Sequence, residues 1–277
     1  MTLSRKEFLK LTLRGAFVIG AGNSLQSFAT REFQLPRPDQ IKLRFALASD
    51  GHYGQPETDY ALHHDNTIGW LNKEKESRGV DFSVINGDLF HNEPSFLPEV
   101  KAKWDQLKMP YYVSHGNHDT VDNDTWQKTW NQTLYHAFEK GDSGFLILNT
   151  ANEKGDYISP DIKWTKEHLE LYNTKKHLFV FMHITPFRWT QGGIDCPKVT
   201  EMFSRQSNLR AVFHGHDHDI DGVKSSNGKY YFFDSHIAGN WGTEYRGYRI
   251  VEILKNGEVL TYQMNPAENK KMNSDKI

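Results

Sequence analysis

The chain has 277 residues, enough for one large α/β domain or two small ones. Charged residues are 25% of it, yet the net charge is only -2, so no global basic field argues for binding nucleic acid. The single Cys196 excludes an intramolecular disulfide, a thiolate zinc cage and an iron–sulfur cluster, and is expected to be a partly buried loop residue.

Met1 to Lys10 carries Arg5, Lys6 and Lys10, and a modest apolar stretch from Leu11 to Ala21 follows. Small residues and Ser27-Phe28-Ala29 then lead into a polar, proline-containing linker from Gln34 to Gln40. That order of basic, apolar and small-polar segments is the layout of an export signal. Ser4 to Lys10 also resembles a twin-arginine signal, with Lys6 where the second arginine is expected. Arg14 interrupts the apolar stretch, which is far shorter than the roughly 20 residues of a membrane span. Residues 1–30 therefore read as an export signal and 31–41 as a linker, with no transmembrane anchor left after signal removal. The expected location is periplasmic or secreted; the alternative is a cytoplasmic protein with an amphipathic N-terminal helix.

From residue 42 to 265 the pattern is one domain of alternating strand and helix. Leu43 to Ala48 is a short apolar run ending at Ser49-Asp50-Gly51-His52, and a helical stretch with Leu62, Ile68 and Leu71 follows. Phe82 to Ile85 reads as a buried strand ending at Asn86-Gly87-Asp88. A helical segment near Val100 to Leu107 precedes the strand Tyr111 to Val113, which runs into His115-Gly116-Asn117-His118-Asp119. Gly144 to Leu148 is a strand, Asp161 to Tyr172 a helix, and His177 to Met182 a strand ending at His183. Leu209 to Phe213 delivers His214-Gly215-His216. Strand–helix–strand repetition at this spacing argues for an α/β sheet. Beyond Gly222, Asn227-Gly228 and Asn256-Gly257 lie between β-prone runs as hairpin cues, so this part is expected to be antiparallel. The polar stretch 266–277 is expected to be a flexible tail.

The chemistry sits at the ends of the strand-like runs, where loops commonly carry metal and catalytic groups. Asp50 and His52 are two apart, so an extended segment could point both the same way. Gly116-Asn117-His118-Asp119 and Gly215-His216-Asp217-His218 concentrate nitrogen and oxygen ligands, and Asp88 and His183 occupy similar positions. Taken singly most of these are ordinary polar loop residues; their number and order point to a metal-dependent hydrolase. Imidazole and carboxylate donors without thiolates suit manganese, iron, zinc or nickel.

The order Asp-X-His, Gly-Asp, Gly-Asn-His-Asp, a lone His and Gly-His-X-His resembles the calcineurin-like metallophosphoesterase superfamily, from about Asp50 to His218. Its pattern is most similar to the class III cyclic-nucleotide phosphodiesterase-like branch. The resemblance implies a four-layer α/β/β/α sandwich of two mixed β-sheets flanked by helices, with the metal site on loops at strand ends. It implies that Asp50, His52 and His218 hold one divalent or mixed-valence ion and that Asn117, His183 and His216 hold a second. Asp88 would bridge both. His118 would contact the phosphate and protonate the leaving oxygen, with Asp119 orienting its imidazole. Such a pair of ions would activate hydroxide for attack on a small phosphoester, most simply a diester. The alternatives are a phosphomonoesterase or nucleotidase, or a non-catalytic interaction module on the same fold.

Departures narrow the substrate. Leu89-Phe90-His91-Asn92-Glu93 follows Asp88 without the arginine of protein Ser/Thr phosphatases, and without the iron-binding tyrosine of purple acid phosphatases. Tyr53, Arg188, Trp189 and Trp241 lie near the motif loops and could line a pocket for a flat group, or be packing aromatics and a solvated arginine.

Overall fold

The computed structural model describes residues 35–268 and 270–276, so the expected export signal and the first part of the linker lie outside the described residues. The chain runs β1 (Ile41–Ala48), α1 (Tyr60–Arg78), β2 (Phe82–Asn86), α2 (Leu97–Trp104), β3 (Tyr111–Ser114), α3 (Asn123–Trp130), β4 (His136–Lys140) and β5 (Ser143–Leu148). It continues through α4 (Ile162–Leu171), β6 (His177–Met182), α5 (Pro197–Arg205), β7 (Leu209–His214), β8 (Val223–Ser226), β9 (Lys229–Phe233), β10 (Tyr248–Leu254), β11 (Val259–Asn265) and β12 (Lys270–Lys276).

The strands form two six-stranded sheets, ordered β12-β11-β10-β1-β2-β3 and β4-β5-β6-β7-β9-β8. In the first, β1, β2 and β3 are parallel while β10, β11 and β12 extend it antiparallel. In the second, β5, β6, β7 and β9 are parallel, with β4 and β8 antiparallel at the edges. The period-two alternation of a strand explains the layering. Phe45 and Leu47 of β1 enter the core between the sheets, whereas Ala46 and Ala48 face the α1–α2–α3 side. On β5, Phe145 and Ile147 face inward and Leu146 and Leu148 face α4 and α5. The result is the expected four-layer α/β/β/α sandwich. Aromatic rings fill its middle: Phe45 stacks on Phe82 at 5.0 Å and stands edge-on to Phe145 at 5.5 Å and Phe179 at 5.4 Å.

Several expectations are corrected. The C-terminal part is not purely antiparallel, because β9 leaves its Asn227-Gly228 hairpin to pair parallel with β7. The tail expected to fray from residue 266 instead contributes β12, paired antiparallel to β11. A lysine-bearing polar strand suits a sheet edge, where it discourages pairing with another chain. Helices α3 and α5 and strand β4 add elements that the apolar pattern did not reveal. Cys196 is buried, as the residue preceding α5.

Replacing Phe45 with Ala removes the ring on which the inter-sheet cluster converges. The expected loss is about 3–5 kcal/mol of stability, read as a lower denaturation midpoint at unchanged slope.

Candidate metal centre

All the motif loops leave the C-terminal ends of parallel strands: Asp50 and His52 after β1, Asp88 after β2, Asn117 and His118 after β3, His183 after β6, His216 and His218 after β7. Both sheets deliver their loops to one end of the sandwich. The loops after β1 and β2 are zipped together by amide bonds, from Asp50 N–H to Gly87 O (3.2 Å), His52 N–H to Asp88 O (2.8 Å) and Tyr53 N–H to Leu89 O (3.2 Å). Asn86 crosses between sheets, donating from Nδ2 to Phe213 O at 3.2 Å and accepting from Ser114 Oγ at 2.8 Å.

Asp50, His52, Asp88 and His216 have positive φ, at 58°, 41°, 52° and 67°. Such backbone costs about 1–3 kcal/mol per non-glycine residue and persists only where its surroundings over-determine it. Two motif glycines are required by close approach. A Cβ on Gly116 would stand 2.2 Å from Asp88 Oδ1, and one on Gly87 (φ 84°) 2.3 Å from His183 Nδ1.

The side chains converge as two groups, Asp50–His52–His218 and Asp88–His183–His216, each with its ligand atoms within 4.8 Å of one another. His218 Nε2 lies 3.1 Å from Asp50 Oδ1 and 3.0 Å from His52 Nε2. Asp88 Oδ2 stands between the groups, 3.5 Å from His52 Nε2 and 3.2 Å from His183 Nε2. The backbone N–H of His216 donates to Asp50 at 3.0 Å, and that of His118 donates to Asp88 Oδ1 at 2.9 Å, tying the loops after β7 and β3 to the carboxylates.

These residues fit a pair of transition-metal ions. His183 Nδ1–H donates to Asn86 O at 2.8 Å, leaving Nε2 buried, facing Asp88 without the alignment of a hydrogen bond. His218 Nδ1–H donates to Trp241 O at 3.2 Å and Nε2–H to Asp50 Oδ1 at 3.1 Å, so Nε2 is the nitrogen that an entering ion would take in place of that proton. Asn117 Oδ1 is likewise buried without a hydrogen-bond partner. Fixing one ring nitrogen so that the other is free for metal is how proteins orient such ligands.

The charge balance is consistent with this. Burial opposes the carboxylate form of Asp50 and Asp88, but His218 and His183 around the first, and His183 and His52 around the second, hold both below the ordinary range. Burial pushes His52 down to about 3 and His216 to about 4. His183 moves the other way: burial disfavours its cation, but Asp88 and Asp50 outweigh it and raise the ring to about 10.

His118 stands beside these groups, its ring 4.9 Å from that of His52. Its Nδ1 meets Asn92 Oδ1 at 2.8 Å, and Asn92 N–H donates back to His118 O at 2.9 Å. The expectation that Asp119 orients this imidazole is therefore corrected. Asp119 accepts from Leu89 N–H (2.7 Å), Phe90 N–H (3.1 Å) and Gly116 N–H (2.8 Å), clamping the loops after β2 and β3. Its side chain satisfies amides that the turn leaves orphaned, whereas Asn92, with φ 63°, is the one that reaches the ring. Nothing in the sequence marks His91 and Asn92 as functional beyond their place three and four residues after Asp88.

Among the other sequence candidates, Tyr53 is core, 4% exposed and packed on Tyr60 at 4.7 Å. Trp189 packs on Phe187 at 4.0 Å. Trp241 does border the site, stacked on His218 at 4.3 Å with 49% of its surface exposed. Arg188 lines a cavity of about 620 Å³ with Tyr157, Thr190, Gln191 and Asp195. Tyr157 stands edge-on to His216 at 5.0 Å.

Two outcomes follow from this geometry. In protein stripped of metal, His183 carries a proton at neutral pH that an entering ion must displace. Affinity should therefore rise with pH, about tenfold per unit for one displaced proton; calorimetry showing pH-independent binding would contradict the assignment. Asn92→Gly keeps the left-handed backbone and removes the acceptor from His118, so kcat should fall while metal binding is unchanged.

The sequence pattern of the calcineurin-like phosphoesterases matches residues 43–219, well over half of the chain. Comparison with curated protein sequences yields no match. Among solved structures, a dimetal phosphatase from Danio rerio superposes with a TM-score of 0.66 over 86% of this chain and 98% of its own, at 11% identity. A purple acid phosphatase from yellow lupin (Lupinus luteus) seeds also gives 0.66, over 87% of this chain and 55% of its own, at 12% identity. The calcineurin-like phosphoesterase YfkN from Bacillus subtilis gives 0.50 over 86% and 90%, at 15% identity. At such identities the likeness concerns the fold, while the matched pattern concerns the family. The chain belongs to the calcineurin-like phosphoesterase family and is a metal-dependent hydrolase of phosphoester bonds.

Proposed function

We propose that this hydrolase acts on phosphodiesters. The observation that carries the reading is a surface for an organic group next to each of the two ligand groups. Beside His216, Tyr157 stands edge-on and also lines the cavity of about 620 Å³. Beside His218, Trp241 presents an exposed indole stacked on the ring. A diester carries two organic arms, one for each of these surfaces; a monoester would use only one of them.

In this reading Asp50, His52 and His218 would hold the first ion, Asn117, His183 and His216 the second, and Asp88 would serve both. When bound, two such ions neutralise the phosphoryl oxygens and lower the pKa of water toward about 7. Manganese, iron, zinc and nickel all suit these donors. The chain's own contribution is to hold the phosphate between the loops and to deliver a proton. His118, whose Nδ1–H donates to Asn92 Oδ1, passes the Nε2 proton of its imidazolium form to the leaving alkoxide and is left as the neutral ring, a contribution of about 10²–10⁴-fold. The basic, apolar and small-polar order of residues 1–30 supports export of the chain, with an external substrate.

The test compares a chromogenic phosphodiester with the matching monoester on manganese-reconstituted protein. A strong diester preference is expected. A monoester preference would replace this reading with a phosphatase or nucleotidase, and no turnover with both ions bound would favour an interaction module. Asp88→Ala should lose metal and activity together. His118→Ala should keep both ions yet lose turnover, most severely with poor leaving groups; loss of metal in the purified variant would remove the acid role.

A further inference from the structure

A histidine that binds metal through Nε2 as a neutral ring must carry its proton on Nδ1, and that N–H needs an acceptor. For His183 the acceptor is Asn86 O, and for His218 it is Trp241 O, both backbone carbonyls. His52 is different. Its Nε2 faces Asp88 and His218, and the atom in reach of its Nδ1 is Nδ1 of His91, at 3.0 Å.

His91 is itself held in place. Its ring stacks on His118 at 4.6 Å with only 17° between planes, and its backbone N–H donates to Tyr53 O at 3.0 Å as part of the zipper between the loops after β1 and β2. It is thus fixed by the same short loop, Leu89 to Asn92, that orients His118 through Asn92. We propose that His91 is a positioning residue: its Nδ1 accepts the Nδ1 proton of His52 and thereby fixes the tautomer and lone-pair direction of that ligand. The inference rests on the reading of His52 as a ligand of the first ion.

The nitrogens of His52, His91 and His118 also lie within 4.8 Å of one another, as a third ion would require. Geometry favours the hydrogen bond. A third ion would need His52 deprotonated on both nitrogens, and Asn92 already engages His118 Nδ1.

The full chain, stripped of metal and titrated with manganese by calorimetry, separates these cases. Wild type should bind two ions. His91→Phe, which keeps a ring to stack on His118 but offers no acceptor, should weaken one of the two sites about 10–100-fold. His91→Gln, whose amide oxygen can accept, should recover most of that loss, while thermal melts of the stripped variants stay close to wild type. Wild-type affinity at both sites in His91→Phe would overturn the proposal, as would equal weakness of the Gln and Phe variants. So would three ions in wild type falling to two in His91→Phe. Failure of wild type itself to bind two ions would instead remove the metal reading on which the inference stands.

Discussion

Asp50 and Asp88 are two carboxylates held out of water and, among the described residues, ion-paired with histidines alone. Like charges buried together are costly unless compensating positive charge is supplied. No lysine or arginine does so in those pairs. The raised proton affinity of His183 is the metal-free answer to that imbalance, and a pair of cations is the fuller one. The rest of the site follows from this constraint. Neutral, buried rings at His52 and His216 offer lone pairs rather than protons, and the amides of His118 and His216 share the remaining carboxylate capacity.

Holding such a cluster demands a frame that does not give. Four of its members sit on left-handed backbone, a conformation their own side chains resist. The frame is the inter-sheet core, in which Phe45, Phe82, Phe145 and Phe179 interlock, together with the polar crossing made by Asn86. Strand ends from both sheets meet at this edge, so a displacement of one sheet against the other would separate ligands of the same ion. Packing density in the middle of the sandwich therefore sets the accuracy of the chemistry at its rim.

How far the sequence reveals this depends on whether a role is carried by residue type or by loop shape. Ligands were readable because histidines and carboxylates cluster where apolar runs end, and those short runs themselves located β1, β2, β6 and β7. Helix α3 was not readable: its buried contacts come from Trp126 and Trp130 in an otherwise polar segment started by Asp122. The edge strand β12 was hidden for a similar reason, since an edge needs no apolar face of its own. The contacts that orient the rings were least visible. Asp119 adjoins His118 in the chain but turns its carboxylate to the backbone, while Asn92 and His91 arrive from a different loop. Sequence proximity is a poor guide to such partners because the turn, not the spacing, decides where each side chain goes.

The loop Leu89 to Asn92 thus links three features, contacting His52, His118 and the β1 loop through consecutive residues. The central claim, that these side chains assemble one dinuclear site around Asp88, is tested most directly by anomalous diffraction from manganese-soaked crystals. The account predicts two anomalous peaks about 3.5–4 Å apart, both contacted by Asp88. A single peak, or two peaks that Asp88 does not join, would contradict it.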